Sequence, residues 1–284
     1  INESTRKHLQ DYTSQLKVEN RALGAYEGEF AATTLNGIVQ ADDFNSTVPS
    51  AAAVNSVATI TPIKLGSNSY TSYSSMMKNY WGKWSDEVHG IVQAGFLEGS
   101  KQLAVTGTNH YANTARIAFV DQNDEILKGY RFLAVNDSRT STRCRALDQR
   151  VFKADDSKLN SATPPLHPNC RSALTYEVDD RFKLDASETK KASSFNVDGK
   201  RDPKHIDSDS IYYANMKKLK ASDQDNILGP TLGKAFRKMD NPAKFAKATL
   251  DDQFNPLTIK QMKAKNNELG RILRSQNKGR HDNR

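Results

Sequence analysis

From about Tyr70 to Val105, apolar positions recur at steps of three and four. They are Tyr73, Met77, Tyr80, Trp84, Val88, Ile91 and Gly95, with Met76, Trp81, Val92 and Phe96 beside them. That period predicts a long helix with one aromatic face. Such a face suits packing on a sheet or another helix, or a contact between subunits, where Tyr, Trp and Met are enriched. A second helix is expected over His110–Val120, and Asp121 to Glu125 reads as a turn or N-cap cluster. Lys128–Asn136, aromatic and β-branched, reads as a strand. After Cys170, Leu174, Tyr176 and Val178 alternate with Arg171, Thr175 and Glu177, the period of a half-buried strand. The fold class is therefore α+β, a small antiparallel sheet preceded by an aromatic-faced helix.

The flanks carry weaker patterns. Residues 1–69 start with a polar, weakly helical stretch and then, over Asp42–Ser69, show low charge and no sustained period, as expected of an arm lying on something else. The domain with the sheet is placed at 70–182, and 183–284 holds linker, short helices and a basic tail. Within that last part, Asp179–Asp202 reads as a linker, Ile211–Lys220 as a short helix, and Gly229-Pro230 as punctuation. Pro242 and Pro256 bracket another helix around Phe245–Leu250. These short pieces are expected to pack on the sheet domain or on a partner.

Composition adds to this reading. Apolar residues make up only 37% of the 284 positions, below the roughly 45–50% of an ordinary globule. A chain with long extended parts, ordered by partners, fits that balance. No run reaches the roughly 18 apolar residues of a membrane span, so no membrane association is expected. The chain opens Ile1-Asn-Glu-Ser-Thr-Arg-Lys, without an initiator Met or secretory signal, and so begins inside a reading frame. The two cysteines do not make a secreted disulfide framework, and a reducing compartment is the default. The net charge of +8 is concentrated at the end. Lys260, Lys263, Lys265, Arg271, Arg274, Lys278, Arg280 and Arg284 face only Glu268 and Asp282 there. Such a tail is either a handle for phosphate or another acidic surface, or a solvated end.

The most densely specified stretch runs from Asn136 to Asp148 and resumes at Pro164–Arg171. It holds both cysteines, Cys144 and Cys170, with His167 between them. Asp137 opens a turn by accepting backbone N–H bonds. Pro164, Pro165 and Pro168 stiffen the connector that carries His167 and Cys170. Cys144, His167 and Cys170 are candidate zinc ligands, one short of a closed tetrahedral site. Asp137, Asp148, another side chain or water are open as the fourth. A metal-free cluster, with His167 hydrogen-bonded and the cysteines buried as small apolar groups, fits the residues better than zinc, and a Cys144–Cys170 disulfide, which a reducing compartment disfavours, is the third reading. Asp137 and Asp148, with Arg139, Arg143, Arg145 and Arg171 nearby, fit turn and salt-bridge roles better than an acid/base pair.

This block resembles the signature of the phage head-morphogenesis family, the Mu F-like minor head proteins. The likeness rests on Asp137, Arg139, Thr140, Cys144, Leu147, Asp148, Phe152, Pro164, Pro165, His167, Pro168, Cys170 and Arg171. Departures are Ser141, where many members carry a cysteine, Gln149 in place of a glycine, and Ser172 in place of a final cysteine. Further likeness lies in Tyr213–Lys217, Gln224–Pro230, Phe236-Arg237 and Leu257-Thr258, so that it covers roughly residues 85–262. The resemblance implies a structural minor head protein of a tailed phage, located in the head interior or at the portal vertex and assembled in the host cytoplasm. Its implied partners are the portal protein or major capsid protein. It also implies a part in procapsid assembly and in genome packaging or ejection.

The basic residues Lys260, Lys263, Lys265, Arg271, Arg274, Lys278 and Arg280 would then face packaged double-stranded DNA and bind phosphates without sequence preference. No enzyme motif is present: there is no His-Glu-x-x-His, Walker loop, Gly-x-Ser-x-Gly or Gly-x-Gly-x-x-Gly. The alternative is an effector or toxin acting on nucleic acid through the Cys/His cluster.

Overall fold

The structure, a computed structural model, describes residues 50–60, 63–65, 68–70, 92–179, 189–193, 203–207 and 210–278. The aromatic stripe from Tyr73 to Ile91 lies outside the described residues. These residues divide into two compact units, one holding 92–131 and 151–179, the other 132–150 and 210–278.

The first unit is built on helix α1 (Ala51–Ile60) and the long helix α2 (Val92–Asp121). α1 belongs to the stretch expected as an arm, yet its Val54 is buried with Ala115 and Ala118 of α2. Small residues at those two positions let the helices approach closely. A hairpin, β1 (Ile63–Leu65) with β2 (Asn68–Tyr70), follows α1.

α2 runs unbroken through 106–109 and includes the expected second helix over His110–Val120. Thr106 is 3% exposed and Asn113 fully buried, while Asn109 is half-buried and Thr108 exposed.

The sheet has the order β4–β3–β5 and is antiparallel, as expected. β3 (Leu127–Leu133) is the central strand, with β4 (Val151–Lys153) on one side and β5 (Ala173–Val178) on the other. β4 was missed as a strand because it is only three residues long. Its middle residue, Phe152, is buried between exposed Val151 and Lys153, the alternation of a one-sided strand. Gly129 lets β3 approach β4, since a Cβ there would collide with the Phe152 carbonyl oxygen.

Tyr130 is fully buried, and its hydroxyl lies 3.2 Å from Asp121 Oδ1 and 3.3 Å from the Ile117 carbonyl, tying β3 to the end of α2. Burial pushes both the phenol and the Asp121 carboxyl above their ordinary values. Arg131 makes a two-pronged pair with Glu177 at 2.9 and 3.1 Å.

The second unit is helical: α5 (Tyr212–Lys217), α6 (Ala221–Leu228), α7 (Pro230–Lys238), α8 (Pro242–Ala248), α9 (Ile259–Ala264) and α10 (Glu268–Lys278). These short helices share a buried core of their own. Tyr213, Phe236 and Phe245 stack pairwise with centroids 4.8–5.7 Å apart, and Met216, Met239, Met262, Leu269 and Leu273 close around them. The basic tail is therefore partly folded: α9 and α10 contribute the buried Met262, Leu269 and Leu273. In the stretch read as linker, β6 (Thr189–Ser193) and β7 (Pro203–Asp207) pair antiparallel.

Side chains close the helix ends in this unit. Gln224 Nε2 donates to the Met216 and Leu219 carbonyls at 3.0 and 3.1 Å, finishing α5. Lys217 Nζ reaches the carbonyls of Phe236 and Met239 at 2.8 and 2.5 Å, finishing α7, and lies over the Phe236 ring. Burial holds this amine below its ordinary pKa. Gly233 leaves room for Asp225, whose Oδ1 would collide with a Cβ at that position. Asp225 pairs instead with Arg237 at 2.8 Å. Asn241 caps α8, and Thr258 with Gln261 forms a capping box on α9.

Candidate metal centre

The block 136–148 folds as a turn and one short helix, α3 (Thr142–Leu147). Asp137 Oδ1 accepts from the Arg139 N–H at 3.1 Å and lies 3.1 Å from the Thr140 hydroxyl, which also meets the Val135 carbonyl. Ser141 is the N-cap, its Oγ accepting from the Cys144 N–H at 3.3 Å. The hydroxyl at this departure from the family pattern thus has a helix to start. Asp148 closes the helix, its Oδ1 accepting from the Ala134 N–H at 2.8 Å. Gln149 has φ 66°, a left-handed conformation in which a Cβ is strained, which accounts for glycine as the family's usual residue there.

The second of this helix's two arginines is spent on architecture. Arg145, only 8% exposed, donates to the carbonyls of Thr140 at 2.6 Å and Ile227 at 3.2 Å and lies over the Tyr212 ring. Tyr212 in turn donates to the Asp137 carbonyl at 2.7 Å, and Asn215 reaches Asn136 at 3.4 Å. Arg139, by contrast, is exposed, and its guanidinium stays 3.8 Å from Asp137. The signature carboxylates and Arg145 therefore hold backbone in place, the structural role expected for Asp137 and Asp148. Leu147 and Phe152 are buried core residues.

The proline loop follows the short helix α4 (Leu159–Ala162). Pro164, Pro165 and Leu166 are buried, His167 and Pro168 half-buried, and Arg171 exposed. The loop then turns through Asn169, at φ 56°, and the Cys170 N–H returns to the His167 carbonyl at 3.1 Å. Its backbone is held by a polar row along α2. The Thr106 hydroxyl accepts from the Asn169 N–H at 3.2 Å, Asn109 Nδ2 donates to the Ser172 carbonyl at 2.8 Å, and Asn113 Oδ1 accepts from the Leu174 N–H at 2.7 Å. Sequence reasoning missed these three residues, since nothing in a row of Thr and Asn announces a buried face.

Cys144 and Cys170 are each 1% exposed, and no disulfide joins them. Cys144 lies in one compact unit, His167 and Cys170 in the other. His167 Nδ1 is 2.9 Å from the Pro168 carbonyl oxygen. A carbonyl only accepts, so Nδ1 carries the proton and the ring's lone pair sits on Nε2.

Of the basic residues singled out in the tail, Lys260 and Arg271 are exposed and Lys263 half-buried. Two others are engaged inside the fold. Lys265 Nζ donates to the Leu250 carbonyl at 3.3 Å, and Arg274 donates to the carbonyls of Lys263 and Lys265, closing α9. The Lys278 side chain and Arg280 lie outside the described residues. Among the described residues, no helix is long and apolar enough to cross a membrane.

An α+β segment whose signature residues lock a turn, a cap and a proline loop is an architectural module. Residues 67–175 match the family described as Phage Mu protein F like protein. The chain is similar to the Mu-like prophage FluMu F protein of Haemophilus influenzae, 33% identical over 114 residues. That match covers 38% of this chain and 28% of the relative. The chain thus spans less than a third of the length of that relative. No solved structure matches.

Proposed function

We propose that this chain is a minor head protein of a tailed phage, docked on the portal or the inner capsid surface. There it assists procapsid assembly and the packaging or ejection of the genome. The observation that carries this reading is the use of the family's signature residues. Asp137 and Asp148, with the neighbouring Arg145, bond backbone within the fold rather than facing a substrate. The role is adhesive, without catalysis. Packaged double-stranded DNA is met through phosphate contacts. Lys260, Lys263 and Arg271 serve here, joined by Lys218, Lys220, Lys234, Lys238, Lys244 and Lys247, all six exposed on the helical unit and none singled out in the sequence.

The test is cross-linking mass spectrometry on purified particles of the phage encoding this chain. The chain is expected in mature heads, with cross-links to portal or coat subunits. Its absence from particles, together with nuclease activity of the purified protein, would overturn the proposal in favour of an effector acting on nucleic acid.

A further inference from the structure

We infer that the contact between the turn at Gln149-Arg150 and the loop 251–255 is a latch, strained on both sides when closed, that opens locally ahead of the helical core. Both sides belong to the helical unit, and the inference does not depend on the assembly role proposed above.

The first argument is where the strain falls. Among the described residues, three other than glycine have φ in the left-handed region: Gln149 at 66°, Asn169 at 56° and Phe254 at 63°. Asparagine tolerates that region because its short side chain bonds locally. A long glutamine and a bulky phenylalanine do not, and their Cβ atoms crowd the following carbonyl. These two meet at one place. The guanidinium of Arg150, next in sequence to Gln149, lies 4.5 Å from the centre of the Phe254 ring.

Turn chemistry is the second argument. The Phe254 N–H donates to the Asp251 carbonyl at 3.1 Å, and the Asp251 N–H to the Asn255 carbonyl at 2.9 Å. Such a turn is closed by one left-handed residue, where glycine is the usual choice. Phenylalanine stands there against local preference, so contacts outside the loop keep it in place. Phe254 is 3% exposed, with its ring under Arg150. Arg143 Nη2 adds a bond to the Gln253 carbonyl at 3.4 Å, long for an N–H···O contact. Conflict between local preference and tertiary contact is characteristic of clamps and switches.

The third argument is that the latch can open without melting its surroundings. Below the strained residue the loop has its own base. The Leu257 N–H donates to the Thr249 carbonyl at 2.9 Å, and Leu250 bridges Pro256. Tyr213, Phe236 and Phe245 close the unit's core in a cluster to which Phe254 does not belong. Release of 252–255 therefore leaves both base and core standing. It also presents Phe254 and Arg150 together, an aromatic ring and a guanidinium, the side-chain types enriched at protein contacts.

The experiment is native-state hydrogen exchange on the full chain, followed by NMR across low urea concentrations. The amides of Arg150, Phe254 and Asn255 are expected to exchange through one common opening with little urea dependence. Met216 and Phe236, in the helical core, should exchange only through an opening with the full urea dependence of unfolding. Two variants test the coupling across the contact. Gln149→Gly, on the turn side, should slow exchange at Phe254 and Asn255 on the loop side by about 2–5-fold. Arg150→Ala, at an exposed position that spares the fold, should speed it by about 2–5-fold. Loop exchange with the urea dependence of the core, or a loop rate unmoved by Gln149→Gly or by Arg150→Ala, would overturn the inference.

Discussion

Asn113 Oδ1 accepts the Leu174 backbone N–H at 2.7 Å, joining residues 61 positions apart. The same side chain donates from Nδ2 to the Asn109 carbonyl one turn earlier. A fully buried amide thus serves both its own helix and the first turn of a strand. This is how a helix with no sustained apolar stripe at its centre docks on a sheet. Its contact there is a row of hydrogen bonds at i, i+3 and i+7, one helical face.

Asn113→Ala leaves the Leu174 N–H buried without its acceptor. An unsatisfied buried donor costs about 1–3 kcal/mol, so the urea midpoint of the purified chain should fall accordingly. Faster hydrogen exchange is expected at Leu174 and at Asn169–Ser172, since the loop shares the same row. An unchanged midpoint would show that the row is incidental to stability.

Gln149→Gly is expected to stabilise the protein. At φ 66° the glutamine adopts a conformation that glycine takes without strain, and relief of about 0.5–1 kcal/mol is the usual scale for such a site. Gln149→Ala keeps the Cβ and should give no gain. Thermal midpoints of the two variants decide the matter, and equal values would sink the argument.

How far the sequence could be read depends on which force set each element. Alternation around Leu174 and the aromatic run at Tyr130–Phe132 revealed β3 and β5, because burial of one sheet face leaves a period of two. The turn residues of the signature block were legible too: Asp137, Ser141 and the prolines act on their own neighbours. What failed was long-range and polar. Nothing in the types of Thr106, Asn109 and Asn113 announces the loop backbone they bond. α9 and α10 looked like a charged tail because Met262, Leu269 and Leu273 are sparse among lysines and arginines, although all three are buried. Small helices of this kind are stabilised by their shared core more than by their own propensity. The three candidate metal ligands were legible by residue type alone.

Arg145→Met tests the lock between the signature block and α5 and α6. The arginine's bonds to the Thr140 and Ile227 carbonyls are charge-assisted and buried, and such bonds contribute about 1.5–3 kcal/mol. Methionine retains the stem volume and makes neither bond. A destabilisation of about 3 kcal/mol is expected, with retained helix content by circular dichroism. Arg145→Lys should rescue only part of it, because one ammonium cannot match the planar fork.

Acid should loosen the turn at 251–255 before the core. Burial raises the pKa of Asp251, but hydrogen bonds from the Asn255 N–H, the Asn255 side chain and the Gln253 N–H outweigh it, holding the carboxyl below the ordinary 3.8. A depressed carboxyl contributes stability that is fully present above 3.8 and is lost as pH falls through its lower folded value. Amide exchange at Gln253 and Asn255 should therefore lose protection relative to the intrinsic rate as pH falls below 3.8, and Asp251→Asn should flatten that dependence. A wild-type profile in the variant would place the effect elsewhere.

The proposed meeting with DNA rests on charge. Lys234 and Lys238 lie one turn apart on α7, and Lys244 and Lys247 lie on α8; all four are exposed. If these lysines meet phosphates, removing any one of them should lower the slope of log affinity against log salt by about 0.9 for B-form DNA. Replacing all four with glutamate should weaken binding of random-sequence duplex steeply at low salt and flatten the salt dependence, leaving stability within about 0.5 kcal/mol per site. The comparison variant, Lys265→Met, removes a lysine already engaged with the Leu250 carbonyl; it should lower stability more than DNA affinity. The reverse ranking, with the four-site variant binding normally and Lys265→Met binding poorly, would move the DNA-binding surface to the chain's end and away from the helical unit.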